Sequence, residues 1–158
     1  MVTSQNLNFQ VSKEKSMPLP SMLDYQRQLI GACLDDFTPN ATFVNFCGGQ
    51  YGPEPVLWKS AVLNFLCMGV YYGLIEVTHR PHISAKRNID GLNNLLLFGD
   101  AESGVEAAIL WDVLYFNGTR ELVEIINKCG LHSWESLSKE VSEELVSLLK
   151  KYPQFYPA

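Results

Sequence analysis

The stretch from Glu54 to Arg80, EPVLWKSAVLNFLCMGVYYGLIEVTHR, constrains this chain more than any other. Between Val56 and Met68 only Lys59, Ser60 and Asn64 are polar. A helix that is apolar on nearly every side has to be buried. This one is too short and too interrupted to cross a bilayer, which takes about 20 mostly apolar residues. Pro55 suits a first helical turn, and Gly73 suits a left-handed cap. Leu74 to Thr78 is rich in β-formers and reads as a strand. The rest of the chain must pack around this helix-to-strand unit.

Upstream, Leu7, Phe9 and Val11 alternate with polar residues as in a short strand. Ser21 is a good N-cap for a helix over Met22 to Phe37, with Met22, Leu29, Ile30, Cys33, Leu34 and Phe37 on one stripe. Ala41 to Phe46 reads as a strand, and Gly48 to Pro55 as a loop. Downstream, Pro81 closes the central strand, and Ser84 or Asp90 starts a helix through about Leu97. A helix from Ala101 to Phe116 would turn Val105, Ala108, Ile109, Val113 and Phe116 inward. Asn117-Gly118 reads as a turn. Thr119 caps a short helix, with Leu122, Ile125 and Ile126 inward, ended by Gly130. Ser133 or Ser138 starts the last helix, with Val141, Leu145, Leu148, Leu149 and Tyr152 inward, and Pro153 stops it. The expected fold is α+β and mostly α-helical, with five or six helices and a small two- to three-stranded sheet. One domain is expected over residues 1–158, with residues 1–6 and 153–158 loose.

Apolar residues make up 47% of the chain and charged residues 18%, enough for a packed core. The net charge of −5 is unevenly distributed. Asn88 to Leu149 holds eleven acidic and three basic residues, a net of −8, while the remainder is +3. Cys33, Cys47, Cys67 and Cys129 form no C-x-x-C pair, and the first three sit among apolar neighbours. Cysteines in such contexts are usually buried and free. Residues 1–6 lack the basic and apolar regions of a signal peptide, so a reduced, cytoplasmic chain is expected.

Motifs for chemistry are sparse. His79 and His82 are spaced H-x-x-H behind Glu76, but on a strand Glu76 and His79 point to opposite faces. No metal or other cofactor is therefore expected. There is no G-x-S-x-G for nucleophilic catalysis and no G-K-[ST] phosphate loop after Cys47-Gly48-Gly49-Gln50-Tyr51-Gly52. Trp58, Trp111 and Trp134 read as core or core-edge residues. The densest basic cluster runs from His79 to Arg87. Helix, Gly73, strand and basic loop, over about residues 55–87, resemble the second half of a winged-helix domain. That resemblance implies nucleic-acid contact through Arg80, Lys86 and Arg87. Its recognition helix would offer a groove only Lys59 and Asn64.

Elimination points away from an enzyme and toward a non-catalytic protein inhibitor. The profile suits an immunity protein that neutralises a basic, nuclease-type bacterial toxin. An acidic face gains association rate and selectivity against a positive cleft. The expected contact residues are Asp100, Glu102, Glu106, Asp112, Glu121 and Glu124, with Tyr115 or Trp111 as apolar anchor. The alternatives are a winged-helix-like nucleic-acid-binding regulator, and an enzyme whose site forms only in space. No membrane partner is expected.

Overall fold

The computed structural model describes residues 18–80 and 87–156. Helix α1 (Met22–Leu34) opens with a reciprocal cap. The Asp24 N–H donates to Ser21 Oγ at 3.1 Å, and the Ser21 N–H donates to the Asp24 carboxylate at 2.9 Å. The helix stops three residues before the expected end. Asp35 is extended, and Phe37 instead exchanges two backbone hydrogen bonds with Phe116, of 2.9 and 2.8 Å. Pro39 favours this exit, because the residue before a proline avoids helical backbone.

Residues 41–46 are not a strand. A 3₁₀ turn, Pro39–Ala41, leads into tight turns in which Phe43 and Cys47 take positive φ values of 49° and 55°. Phe43 and Phe46 are buried while Val44 and Asn45 between them are exposed, so the strand alternation fails. Ring packing replaces it: Phe43 meets Tyr25 at 5.0 Å and Phe65 at 4.9 Å. The loop backbone is held from outside. The Gln28 side chain accepts from the Phe43 N–H at 2.9 Å, and the buried Trp58 indole donates to the Thr42 carbonyl at 2.8 Å.

Helix α2 (Pro55–Tyr71) buries Trp58, Val62, Phe65, Leu66, Cys67 and Val70, as its composition requires. Gly73, at φ 72°, caps it. Its N–H donates to the Val70 carbonyl and that of Leu74 to the Gly69 carbonyl, the paired bonds of a Schellman end. Strand β1 (Ile75–Val77) then folds back against α2. A Cβ on Gly69 would lie 2.6 Å from Ile75, so only glycine permits that approach. Among the described residues, β1 pairs antiparallel with β2 (Phe116–Gly118), Glu76 opposite Asn117. Asn117-Gly118 is thus strand rather than turn: Phe116 is anchored between Phe37 and Val77, and the Asn117 amide donates to Glu76 across the pair at 2.9 Å.

After Arg80 the next described element is a helix, α3 (Ile89–Phe98), capped by the Asn88 side chain. The returning strand of a wing is therefore absent from the described residues. Helix α4 (Ala107–Val113) begins six residues later than expected, because Asp100 and Val105 close the preceding turn with two backbone bonds. Its inward face also differs. Leu110, Trp111 and Leu114 are buried, while Ile109 and Val113 are 50% and 51% exposed. The Trp111 indole sets this phase by donating to the Leu96 carbonyl at 2.8 Å and packing on Trp58.

Helix α5 (Arg120–Lys128) starts at Thr119 as expected, with Leu122 and Ile126 buried. Residues 134–138 form only a 3₁₀ turn, and the last helix, α6 (Glu143–Leu149), starts after Ser142. The buried Gln26 decides that start: its amide donates to the Glu140 carbonyl and accepts from the Ser142 N–H. Six α-helices and a two-stranded antiparallel sheet make the described structure mostly helical α+β.

Residues 153–156 are not loose. Phe155 is fully buried and stacks on Phe65 at 5.2 Å, and Tyr156 packs on Tyr25. The Pro153 and Gln154 carbonyls accept from Tyr72 and Asn64. Residues 1–6, the strand expected over 7–11, Ser84 and residues 157–158 lie outside the described residues.

Removing the Phe155 ring should therefore act like a core deletion. Phe155→Ala is expected to cost about 3–5 kcal/mol, measured by chemical denaturation. A loss below about 0.5 kcal/mol, the range of surface changes, would remove the tail from the core.

Candidate functional site

The six acidic residues singled out by charge lie on two helices and the turn before one of them. Asp100 is engaged internally: its carboxylate accepts from Arg80 at 2.6 Å and from the Ser103 hydroxyl at 2.7 Å. The Ser103 hydroxyl and the Arg80 guanidinium hold its pKa below the ordinary carboxylate range. Glu121 and Glu124 lie on α5, which packs on α1, α6 and β2. Glu121 accepts from the Tyr152 hydroxyl at 3.2 Å, and Glu124 faces Arg120 at 3.9 Å in full solvent. Glu102, Glu106 and Asp112 belong to α4 and the turn before it, which pack on α3 and the 39–41 turn.

The outer face of α4 is where charge and apolar exposure coincide. Ile109 and Val113, one turn apart, are half exposed, with Asp112 between them in sequence and Glu106 at the helix start. Phe98, at the end of the neighbouring α3, is 79% exposed. Tyr115 is partly exposed, whereas Trp111 is buried and cannot anchor a partner. Asp112 is oriented by the Asn40 amide, which donates to it at 2.5 Å.

Of the basic residues expected to contact nucleic acid, Arg80 is engaged in an ion pair and Arg87 is exposed. Arg80 binds Asp100, tying the end of β1 to the α3–α4 turn. Arg87 lies over the end of α2: a Cβ on Gly73 would meet its guanidinium at 2.9 Å. The last turn of α2 has no basic residue of its own, and the exposed Arg87 guanidinium lies near that end. Lys86 and His82 lie outside the described residues. The two polar residues α2 could show to a groove are also occupied. Lys59 sits over the Trp111 ring at 5.0 Å, and Asn64 donates to Gln154.

Among the described residues, no three His, Cys, Asp or Glu side chains converge as metal ligands. His79 packs edge-on against Tyr115, and His132 reaches the Cys33 carbonyl at 3.1 Å rather than its thiol. All four cysteines are free; Cys67 is buried and the others half-buried. Burial pushes the Cys33 thiol up to about 12 and the Cys67 thiol up to about 11, and raises that of Cys129. A nucleophilic cysteine needs the opposite shift. No helix among the described residues is long and apolar enough to cross a membrane.

One feature escaped the charge count. A groove of about 550 Å³ lies at the C-terminal end of α1, lined by Asp35, Asp36, Val44, Asn45, Trp134 and Leu137 among others. Trp134, expected at the core edge, is 59% exposed, whereas Trp58 and Trp111 are 3% and 4% exposed. Phe43, which also lines the groove, holds its positive φ at a cost of order 1–3 kcal/mol. The sequence signal was present at Asp35-Asp36. Two carboxylates at the negative end of a helix oppose its dipole, and α1 carries no basic residue in its last turn.

Two outcomes follow from these environments. At pH 8, Cys33 and Cys67 should resist a disulfide-exchange reagent in the native protein and react fully on denaturation; fast native reaction at either would contradict the burial. Asp100 holds its proton less tightly in the folded state than in the unfolded chain. Its contact thus stabilises the fold above about pH 4, and that contribution fades as pH falls through the lower folded value. Asp100→Asn should lower the melting temperature at pH 7 and flatten its fall in acid. Melting curves of equal acid slope would show that Asp100 titrates alike folded and unfolded.

No protein-family model, no curated protein and no solved structure matches the chain.

Proposed function

We propose that this chain is a non-catalytic inhibitor that binds a basic protein partner through the outer face of α4. The observation that carries the reading is the exposed Ile109–Val113 stripe. It is accompanied by Glu102, Glu106 and Asp112 within a segment of net charge −8. Exposed apolar patches with polar rims mark interaction surfaces. Carboxylates around such a patch steer a positive partner over about 8–10 Å, the Debye length at ordinary salt. Ile109, Val113 and Phe98 would then supply the dry centre of the contact.

In its finer form the partner is a nuclease-type bacterial toxin, and the chain is the immunity protein that occludes its cleft in the cytoplasm. A nuclease cleft must be positive to hold nucleic acid, which is the complement an acidic apolar face needs. Asp100, Glu121 and Glu124 drop out of the proposed contact, Asp100 because Arg80 occupies it. The nucleic-acid reading loses one of its contacts for the same reason, since Arg80 is paired with Asp100.

Tagged protein should capture a basic protein whose nuclease activity falls stoichiometrically as the inhibitor is added. The Glu102→Lys/Glu106→Lys double variant should fold normally but associate more slowly, and its rate should lose most of its salt dependence. Capture of DNA or RNA in place of a protein would sink the reading.

A further inference from the structure

We propose that the groove at the end of α1 receives an arginine side chain from a protein partner. Its guanidinium would lie between the Asp35 and Asp36 carboxylates and the face of Trp134. The inference concerns a surface separate from the α4 face and shares with the proposed function only the partner's basic character.

The charge comes first. The ion pairs among the described residues are Arg80–Asp100 and Arg120–Glu124, so Asp35 and Asp36 neutralise neither each other nor a described neighbour. Both are exposed at the carbonyl end of a thirteen-residue helix, where the dipole adds further negative potential. Of the other charged groups on the groove wall, Asp24 is occupied by the Ser21 cap, and Arg27 gives its Nε hydrogen to the Leu137 carbonyl at 3.1 Å. Asp35 also accepts from the Asp36 N–H at 2.8 Å, and Arg27 keeps its charge, but three aspartates against one arginine leave the wall net negative.

The aromatic wall selects among cations. A tryptophan face attracts a positive group. A guanidinium suits such a face best, because it is planar, weakly hydrated and able to bind carboxylates through two parallel N–H groups. An ammonium is compact and strongly hydrated, and it gains less. A groove of about 550 Å³ is of a size that encloses small ligands and side chains. Its openness to solvent at Trp134 fits a side chain projecting from a protein.

The walls are also fixed in advance. Gln28 and Trp58 hold the backbone at residues 42 and 43. Arg27 ties α1 to the turn carrying Trp134, and that turn closes on the buried Ser136 through the Ser133–Ser136 hydroxyl pair at 2.8 Å. Little ordering is left for the ligand to induce. The 39–41 turn contributes Ala41 to this groove and Asn40 to Asp112 on α4, so one large partner could reach both surfaces.

The test uses the full chain and a blocked Gly-Arg-Arg-Gly peptide, read by tryptophan fluorescence, with Trp134→Phe showing which part of the change comes from the exposed indole. Saturable change is expected at low salt. Asp35→Asn/Asp36→Asn should weaken it by about tenfold or more, as loss of charge-assisted pairs implies. The same variant should melt at an equal or higher temperature, because it removes charge from the wrong end of a dipole. The lost binding would then not be lost folding. A citrulline twin should not bind, and a lysine twin should bind more weakly. Glu102→Lys/Glu106→Lys should bind the peptide as wild type does, so a failure here leaves the α4 reading standing, and the reverse. Lysine binding equal to arginine, free arginine amide binding as tightly as the peptide, or indifference to the Asp35/Asp36 change would each overturn the proposal.

Discussion

The burial of α2 is the constraint on which the rest of the structure depends. A helix apolar on nearly all sides cannot lie on a surface, so elements from both directions of the chain must close over it. Gly69 and Gly73 decide how the first of them does so. Gly73 reverses the chain with both bonds of a Schellman end, and Gly69 lets β1 lie directly against the helix that precedes it. β1 then recruits β2, and Phe116 in β2 recruits Phe37 from the end of α1. Thr119 joins these parts through one side chain, capping α5 while donating to the Gly73 carbonyl at 2.6 Å.

Features set by near neighbours were legible in the sequence. Ser21 and Thr119 begin helices, and Gly73 ends one, because the partner of each cap is three or four residues away. What depended on distant partners was not legible. The start of α6 is set by Gln26, more than a hundred residues upstream. The phase of α4 is set by an indole that needs the Leu96 carbonyl, so a periodic pattern read in isolation chose the wrong face. The β-formers at 41–46 found rings to pack against and no strand to pair with, and tertiary packing overrode propensity.

The same division explains the candidate site. Net charge located the acidic segment but could not tell a spent carboxylate from a free one. Asp100 and Arg80 stood for opposing hypotheses in the sequence, and in the structure they are partners 2.6 Å apart. The Asp35–Trp134 groove joins residues a hundred positions apart, so only the dipole mismatch at Asp35-Asp36 was available beforehand.

The place of Phe155 has a consequence for how the protein is made. Its ring closes on Phe65, and the hydroxyl-bearing ring beside it closes on Tyr25, both supplied far earlier in the chain. On a ribosome, α1 and α2 emerge with these aromatic faces uncovered and stay so until Phe155 and Tyr156 have been made. Until then a nascent chain carries the Tyr25 and Phe65 rings without these two partners. Closure of this aromatic cluster thus waits on a ring supplied ninety positions after Phe65, and a chain cut before Phe155 would leave it open.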